Sequence, residues 1–256
     1  MRGLAYRSLA AAALAGLVRL GAPASADELV RFASAGRGEE IQGYLTKPKG
    51  AGPFPAVVLL HTCLGLPAGR AALGRRIANW GYVALFVDDL TTRGLRETCA
   101  VDFPEAVADA DGALAYLSRL PVVDRARFAA VGFSQGADTV LKIAVSAGGG
   151  DPGLKAAAAF YPPCANEAGA SLKIPTLILV GAKDDVTPAA DCAALAKRQA
   201  PGAVKLVVYT GAAHAFDLPE FGDGRQVMGM TLAYDPGAAE KSWAELRAFL
   251  ARRLAR

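Results

Sequence analysis

Three residues carry the strongest chemical signal in the chain. Ser134 lies in Gly132-Phe133-Ser134-Gln135-Gly136, with the apolar run Phe128–Val131 before it and Ala137–Ala144 after it. A Gly-x-Ser-x-Gly string between a strand and a helix implies a sharp turn with a serine hydroxyl at its apex, the glycines letting neighbouring backbone pass close. The helix that follows directs its free N–H groups and dipole at an oxyanion forming beside the serine. A serine hydroxyl needs a base to act as a nucleophile, and the chain has two histidines, His61 and His214. His214 follows the serine in the chain, just past the last apolar run, and is the expected base. His61 precedes it, at the end of Val57–Leu60, and is expected to shape the loop Thr62-Cys63-Leu64-Gly65. Asp184 and Asp185, in Gly181-Ala182-Lys183-Asp184-Asp185, compete for the acid that orients the base. Together these residues imply acyl transfer through a covalent serine ester.

Such a set works only if the intervening chain brings it together. Glu28–Ser34 and Glu40–Thr46 read as two short antiparallel strands about Gly36-Arg37-Gly38. After them, short continuous apolar runs alternate with segments of helical spacing. The strands are Ala56–Leu60, Tyr82–Val87, Arg127–Phe133, Leu154–Tyr161, Thr176–Gly181 and Lys205–Tyr209. The helices are Ala68–Trp80, Phe103–Leu120, Ser134–Ser146, Ala189–Ala200 and Pro236–Leu254. Strands alternating with helices of this length predict an α/β fold, a mostly parallel central sheet covered by helices on both faces. One long irregular stretch, Asp217–Asp235, follows His214 directly, and a loop of that length is more often functional than accidental.

The bulk properties bound the setting. Residues 1–26 carry Arg2 and Arg7, an apolar run from Ser8 to Leu20 interrupted by Arg19, and Ala24-Ser25-Ala26, the layout of a cleavable secretory signal peptide. The remaining 27–256 are expected to form one domain. Losing the leader takes the net charge from +4 to +1, with 25 basic residues against 24 acidic. A near-neutral chain has no electrostatic footprint for nucleic acid or an anionic membrane. Four cysteines in an exported protein suggest two disulfides, with four buried thiols as the alternative. Of the three pairings, the layout favours Cys63–Cys99 and Cys164–Cys192, which fall in loops at one edge of the sheet. A zinc site finds no Cys-x-x-Cys pair and few histidines, and neither metal nor cofactor is implied.

The order Ser134, Asp184, His214, at spacings of fifty and thirty residues, resembles the dienelactone hydrolase family. So do His61-Thr62-Cys63-Leu64-Gly65-Leu66, Gly132–Gly136, the Gly-x-x-Asp ending at Asp184, and His214-Ala215-Phe216. Asp88–Gly94, Phe160–Cys164 and Pro188–Cys192 are similar to an exported branch of that family. The resemblance covers 28–254. It implies an α/β-hydrolase fold, Asp184 as the acid, and the backbone N–H groups of Cys63 and Gln135 as the oxyanion hole. It also implies a substrate-binding role for Arg93, which matches one of two family arginines that bind a lactone carboxylate. Three departures stand out: Ser134 replaces the family's nucleophilic cysteine, Thr62 its loop glutamate, and Leu218 its second arginine. The expected activity is therefore hydrolysis of carboxylic esters or lactones, with the lactone-specific pocket altered. Rival readings are a thioesterase, a peptidase, or a non-catalytic binding protein on the same scaffold.

Overall fold

The alternation of side chains along each strand decides which layer it feeds. The computed structural model describes residues 27–101, 103, 105–146 and 153–255; the expected signal peptide, 1–26, lies outside the described residues. In chain order the strands are β1 (Glu28–Ala33), β2 (Glu40–Thr46), β3 (Phe54–Leu60), β4 (Val83–Asp88), β5 (Val123–Phe133), β6 (Leu154–Phe160), β7 (Thr176–Gly181) and β8 (Val204–Tyr209). The helices are α1 (Arg70–Asn79), α2 (Ala106–Leu117), α3 (Gln135–Ser146), α4 (Ala189–Arg198) and α5 (Pro236–Arg253). In β3, Ala56, Val58 and Leu60 join the core under α2, α3 and α4, while Val57 and Leu59 join the core under α1 and α5. A strand buried on both faces must be apolar throughout, which is why these segments read as continuous runs.

The eight strands form one sheet in the order β1-β2-β4-β3-β5-β6-β7-β8. The β1–β2 and β2–β4 pairs are antiparallel; every pair from β4 to β8 is parallel. From β3 the chain crosses to β4 on one side and then to β5 on the other, so winding reverses between β3 and β5. Open parallel sheets bind ligands at the carboxyl ends of the strands beside such a reversal. His61 and Ser134 follow β3 and β5 there, and Asp184 and His214 follow β7 and β8.

Two sequence expectations need correction. Ser134 does not start α3; it stands before the helix at φ 51°, because the turn between β5 and α3 forces it into the left-handed region. Asp217–Asp235 is not irregular throughout. It holds a 3₁₀ turn, Pro219–Phe221, and a two-stranded hairpin of β9 (Arg225–Val227) and β10 (Met230–Leu232). Strands of three residues leave too short an alternation to be read from sequence. Asp235 then caps α5: its Oδ1 accepts from the Ala238 N–H at 2.9 Å, and Pro236 takes the first helical position.

Candidate active site

The elbow is built by exclusion of side chains. A Cβ on Gly132 would lie 2.1 Å from the Gly136 carbonyl oxygen, and one on Gly136 would lie 2.4 Å from that of Leu60. Only glycine admits this approach, which brings α3 down against β3 and forces the Ser134 hydroxyl outward. Ser134 N–H donates to the Phe160 carbonyl at 3.0 Å, and Gly136 N–H to the His61 carbonyl at 3.0 Å. These bonds lock the turn to both neighbouring strands.

Around Ser134 the structure assembles a continuous relay. His214 Nε2 lies 2.9 Å from Ser134 Oγ, and His214 Nδ1 lies 2.8 Å from Asp184 Oδ2. All three residues are buried. Asp184 is held in turn: its Oδ1 accepts from the Val186 and Thr187 N–H groups at 3.0 and 2.8 Å. The Thr187 hydroxyl, 2.9 Å from Asp184 Oδ2, also lies 3.1 Å from the Tyr161 carbonyl oxygen. With Nδ1–H directed at a carboxylate, the proton of neutral His214 sits there, and Nε2 is free to accept from the serine. Asp185, the competing acid, is exposed and accepts from Thr231 Oγ1 at 2.8 Å, tying the β9–β10 hairpin to the site. Thr187 went unseen in the sequence, because a hydroxyl three residues past an aspartate reads as an ordinary turn partner.

The Thr62–Leu66 loop and the start of α3 supply the N–H groups of Cys63 and Gln135. Among the described residues neither is taken by a backbone acceptor. Gln135 is the first residue of α3, where N–H groups have no intrahelical partner. The segment at Thr98–Cys99 fastens both donors. Cys99 is disulfide-bonded to Cys63, Thr98 N–H donates to the Cys63 carbonyl at 2.8 Å, and Thr98 Oγ1 donates to Gln135 Oε1 at 2.7 Å. The second disulfide joins Cys164 to Cys192, holding the turn after β6 against α4.

His61 forms a second histidine–aspartate pair behind this loop. Its Nε2 lies 2.7 Å from Asp89 Oδ1 and its Nδ1 2.7 Å from the Thr62 carbonyl oxygen. Its neighbours are a carbonyl and a carboxyl oxygen, an arrangement that favours a proton on both ring nitrogens. Burial alone would pull the His61 imidazole down; the hydrogen bond and charge of Asp89 more than reverse this, and the net direction is up. The ring holds the loop and has no free nitrogen for proton transfer.

Comparison with known proteins places this geometry. The profile of the dienelactone hydrolase family matches residues 41–254. The chain belongs to the dienelactone hydrolase family. It is 31% identical over 170 residues to Cutinase 2 of Thermobifida cellulosilytica, covering 64% of this chain and 60% of that protein. It is 28% identical over 201 residues to a protein of Methylorubrum extorquens provisionally named carboxymethylenebutenolidase, covering 69% of this chain and 68% of the relative. The matches span between 49% and 60% of the length of the first cutinases. Among solved structures, a dienelactone hydrolase-like promiscuous phosphotriesterase from metagenomic libraries shares the fold with a TM-score of 0.71. It is 24% identical, covering 90% of this chain and all of the other.

The two positions that the resemblance matches to lactone-binding arginines are Arg93 and Leu218. Arg93, expected to meet a substrate carboxylate, is instead tied into the fold. It donates from Nη1 and Nη2 to the two oxygens of buried Asp109 at 2.8 and 3.0 Å, from Nε to Glu39 at 3.0 Å, and from Nη1 to the Asp89 carbonyl at 2.7 Å. Four of its five N–H groups are so engaged, which corrects the substrate-binding expectation. The other arginine position, Leu218, puts an apolar side chain into the cavity at Ser134. Deeper, Tyr161 lies edge-on to His214 with ring centroids 4.7 Å apart, and its hydroxyl donates to Asp217 at 2.8 Å. Burial pushes the Asp217 carboxyl up to about 6, against the lowering effect of that hydroxyl.

Proposed function

We propose that the chain is an exported serine hydrolase of carboxylic esters or lactones, acting through a Ser134–His214–Asp184 triad and an acyl-enzyme. The observation that carries this reading is one imidazole within hydrogen-bond distance of both a strained serine and a buried carboxylate. His214 Nε2 takes the proton from Ser134 Oγ as the oxygen attacks the ester carbonyl. The N–H groups of Cys63 and Gln135 stabilise the oxyanion, and Asp184 stabilises the imidazolium. Collapse of the tetrahedral intermediate passes the proton from Nε2 to the leaving alcohol; water then attacks the acyl ester by the same route and releases the acid.

Membership of the dienelactone hydrolase family, together with similarity to proteins named cutinase and carboxymethylenebutenolidase, supports an ester or lactone as substrate. Export rests on the leader at 1–26 and on two disulfides, which persist in oxidising compartments such as the bacterial periplasm. Cleavage would leave a single catalytic domain over 27–256. Among the described residues no helix is long and apolar enough to cross a membrane.

The test is hydrolysis of p-nitrophenyl acetate and butyrate by residues 27–256 beside Ser134→Ala. The variant is expected to keep its circular dichroism spectrum and to lose about 10⁴–10⁶-fold in kcat. Equal activity in both proteins would assign the nucleophile elsewhere, and equal inactivity would favour a binding protein on the hydrolase scaffold.

A further inference from the structure

Two cavities meet at one side chain. The cavity at Ser134 and His214 is lined on one side by Leu218, Phe221, Met230 and Leu232, and its free volume of about 10 Å³ is room for about one water. A second cavity, of about 600 Å³ on the same measure, opens beside it against α1, α5 and the turn before the hairpin. Its lining is mainly apolar, with Leu73, Pro219, Tyr234 and Trp243 prominent; of its ionisable members Arg76, Glu220 and Glu240 are exposed, and Asp217 is buried with its carboxyl taken up by the Tyr161 hydroxyl. Leu218 is the single residue that lines both spaces. Residues close in the chain line the two spaces: Leu64 and Pro67, Ala215 and Asp217, and Phe221 and Glu220.

We infer that Leu218 is a specificity-determining partition. It confines the acyl group at Ser134 to short chains and closes off an apolar chamber large enough for a medium acyl chain. This rests on the serine-hydrolase reading and adds the substrate class, esters of short carboxylic acids. The acyl arm is the one assigned to this path, and a series of p-nitrophenyl esters varies that arm alone while the leaving group stays the same. An acyl chain that runs from Ser134 toward the larger cavity must pass Leu218, which lines both spaces. The side chain is half-buried and packs on one core layer, so shortening it opens the wall without removing a central core residue.

The experiment compares kcat/KM for p-nitrophenyl acetate and octanoate in wild type, Leu218→Ala, Leu218→Val, and Leu218→Ala combined with Ala72→Trp. Ala72 lines the far chamber from an exposed position on α1, so tryptophan there fills the chamber. Wild type is expected to favour acetate. Leu218→Ala should move the octanoate-to-acetate ratio up by about tenfold or more, a change of the size that one or two methylenes command in an apolar pocket. Leu218→Val should move it less, in the same direction, and Ala72→Trp should abolish the gain. An unchanged ratio with acetate hydrolysis intact overturns the inference alone, as does a gain that survives Ala72→Trp or a wild type that already prefers octanoate. Absence of acetate hydrolysis in wild type would remove the serine-hydrolase reading and this inference with it.

Discussion

The molecule holds two buried histidine–aspartate pairs of nearly equal geometry, His214–Asp184 at 2.8 Å and His61–Asp89 at 2.7 Å. What separates them is the other face of each ring. His214 turns its second nitrogen to a hydroxyl, which can give up a proton; His61 turns its second nitrogen to a carbonyl, which can only receive one. The first arrangement leaves a lone pair facing a serine hydroxyl, as the proposed general base requires. The second favours a proton on both nitrogens and leaves neither lone pair free. A carboxylate beside a histidine thus does not make a base; the group opposite does. His61 contributes position instead. It holds the Thr62 carbonyl with its ring, while its own carbonyl accepts from Gly136 N–H, coupling the loop of Cys63 to the elbow of Ser134.

Glutamine in place of each ring separates the two roles most strongly. His214→Gln removes the base, and kcat for p-nitrophenyl acetate is expected to fall by about 10⁴-fold or more. His61→Gln leaves the relay intact and should lower kcat by about 10–100-fold, the effect of oxyanion donors slightly out of place. Its larger cost is stability, about 3–5 kcal/mol by urea denaturation, since Asp89 is left buried without its cation. Equal kinetic losses in the two variants would erase the distinction.

A smaller effect follows in pH. The folded-state pKa of His61 lies above its ordinary value of 6.5. The folded protein therefore binds this proton more tightly than the unfolded chain does. The stability it contributes is fully present below about pH 6.5 and is lost as pH rises through the folded value. The difference in unfolding free energy between wild type and His61→Gln should shrink from pH 6 to pH 9 in a urea series. A gap constant across that range would mean that the ring does not carry the second proton.

Much of this was legible in the sequence, for reasons that also mark where legibility stops. The central strands were readable because burial on both faces demands unbroken apolar runs. The elbow was readable because its two glycines and serine are contiguous. The acid was not separable from its neighbour by local pattern: Asp184 and Asp185 differ only in which side of the turn each faces, and family likeness had to choose. Thr98, Thr187, Tyr161 and the Asp89 partner of His61 act across gaps of 26 to 37 residues, and no spacing rule announces them. Arg93 misled because a motif position transfers but its partners do not. Asp109, one helix away, claims the guanidinium.

The central claim is that Ser134 is the nucleophile and that His214, alone of the two histidines, activates it. Intact-mass analysis after treatment with a fluorophosphonate tests it directly, since attack by a serine oxygen expels fluoride and leaves a stable phosphonyl ester. One adduct is expected in wild type, mapped by peptide digestion to Ser134. His61→Gln should label more slowly, and His214→Gln and Ser134→Ala should remain unlabelled on the same timescale. An adduct on Ser134→Ala at the wild-type rate, or labelling that depends on His61 and not on His214, would contradict the account.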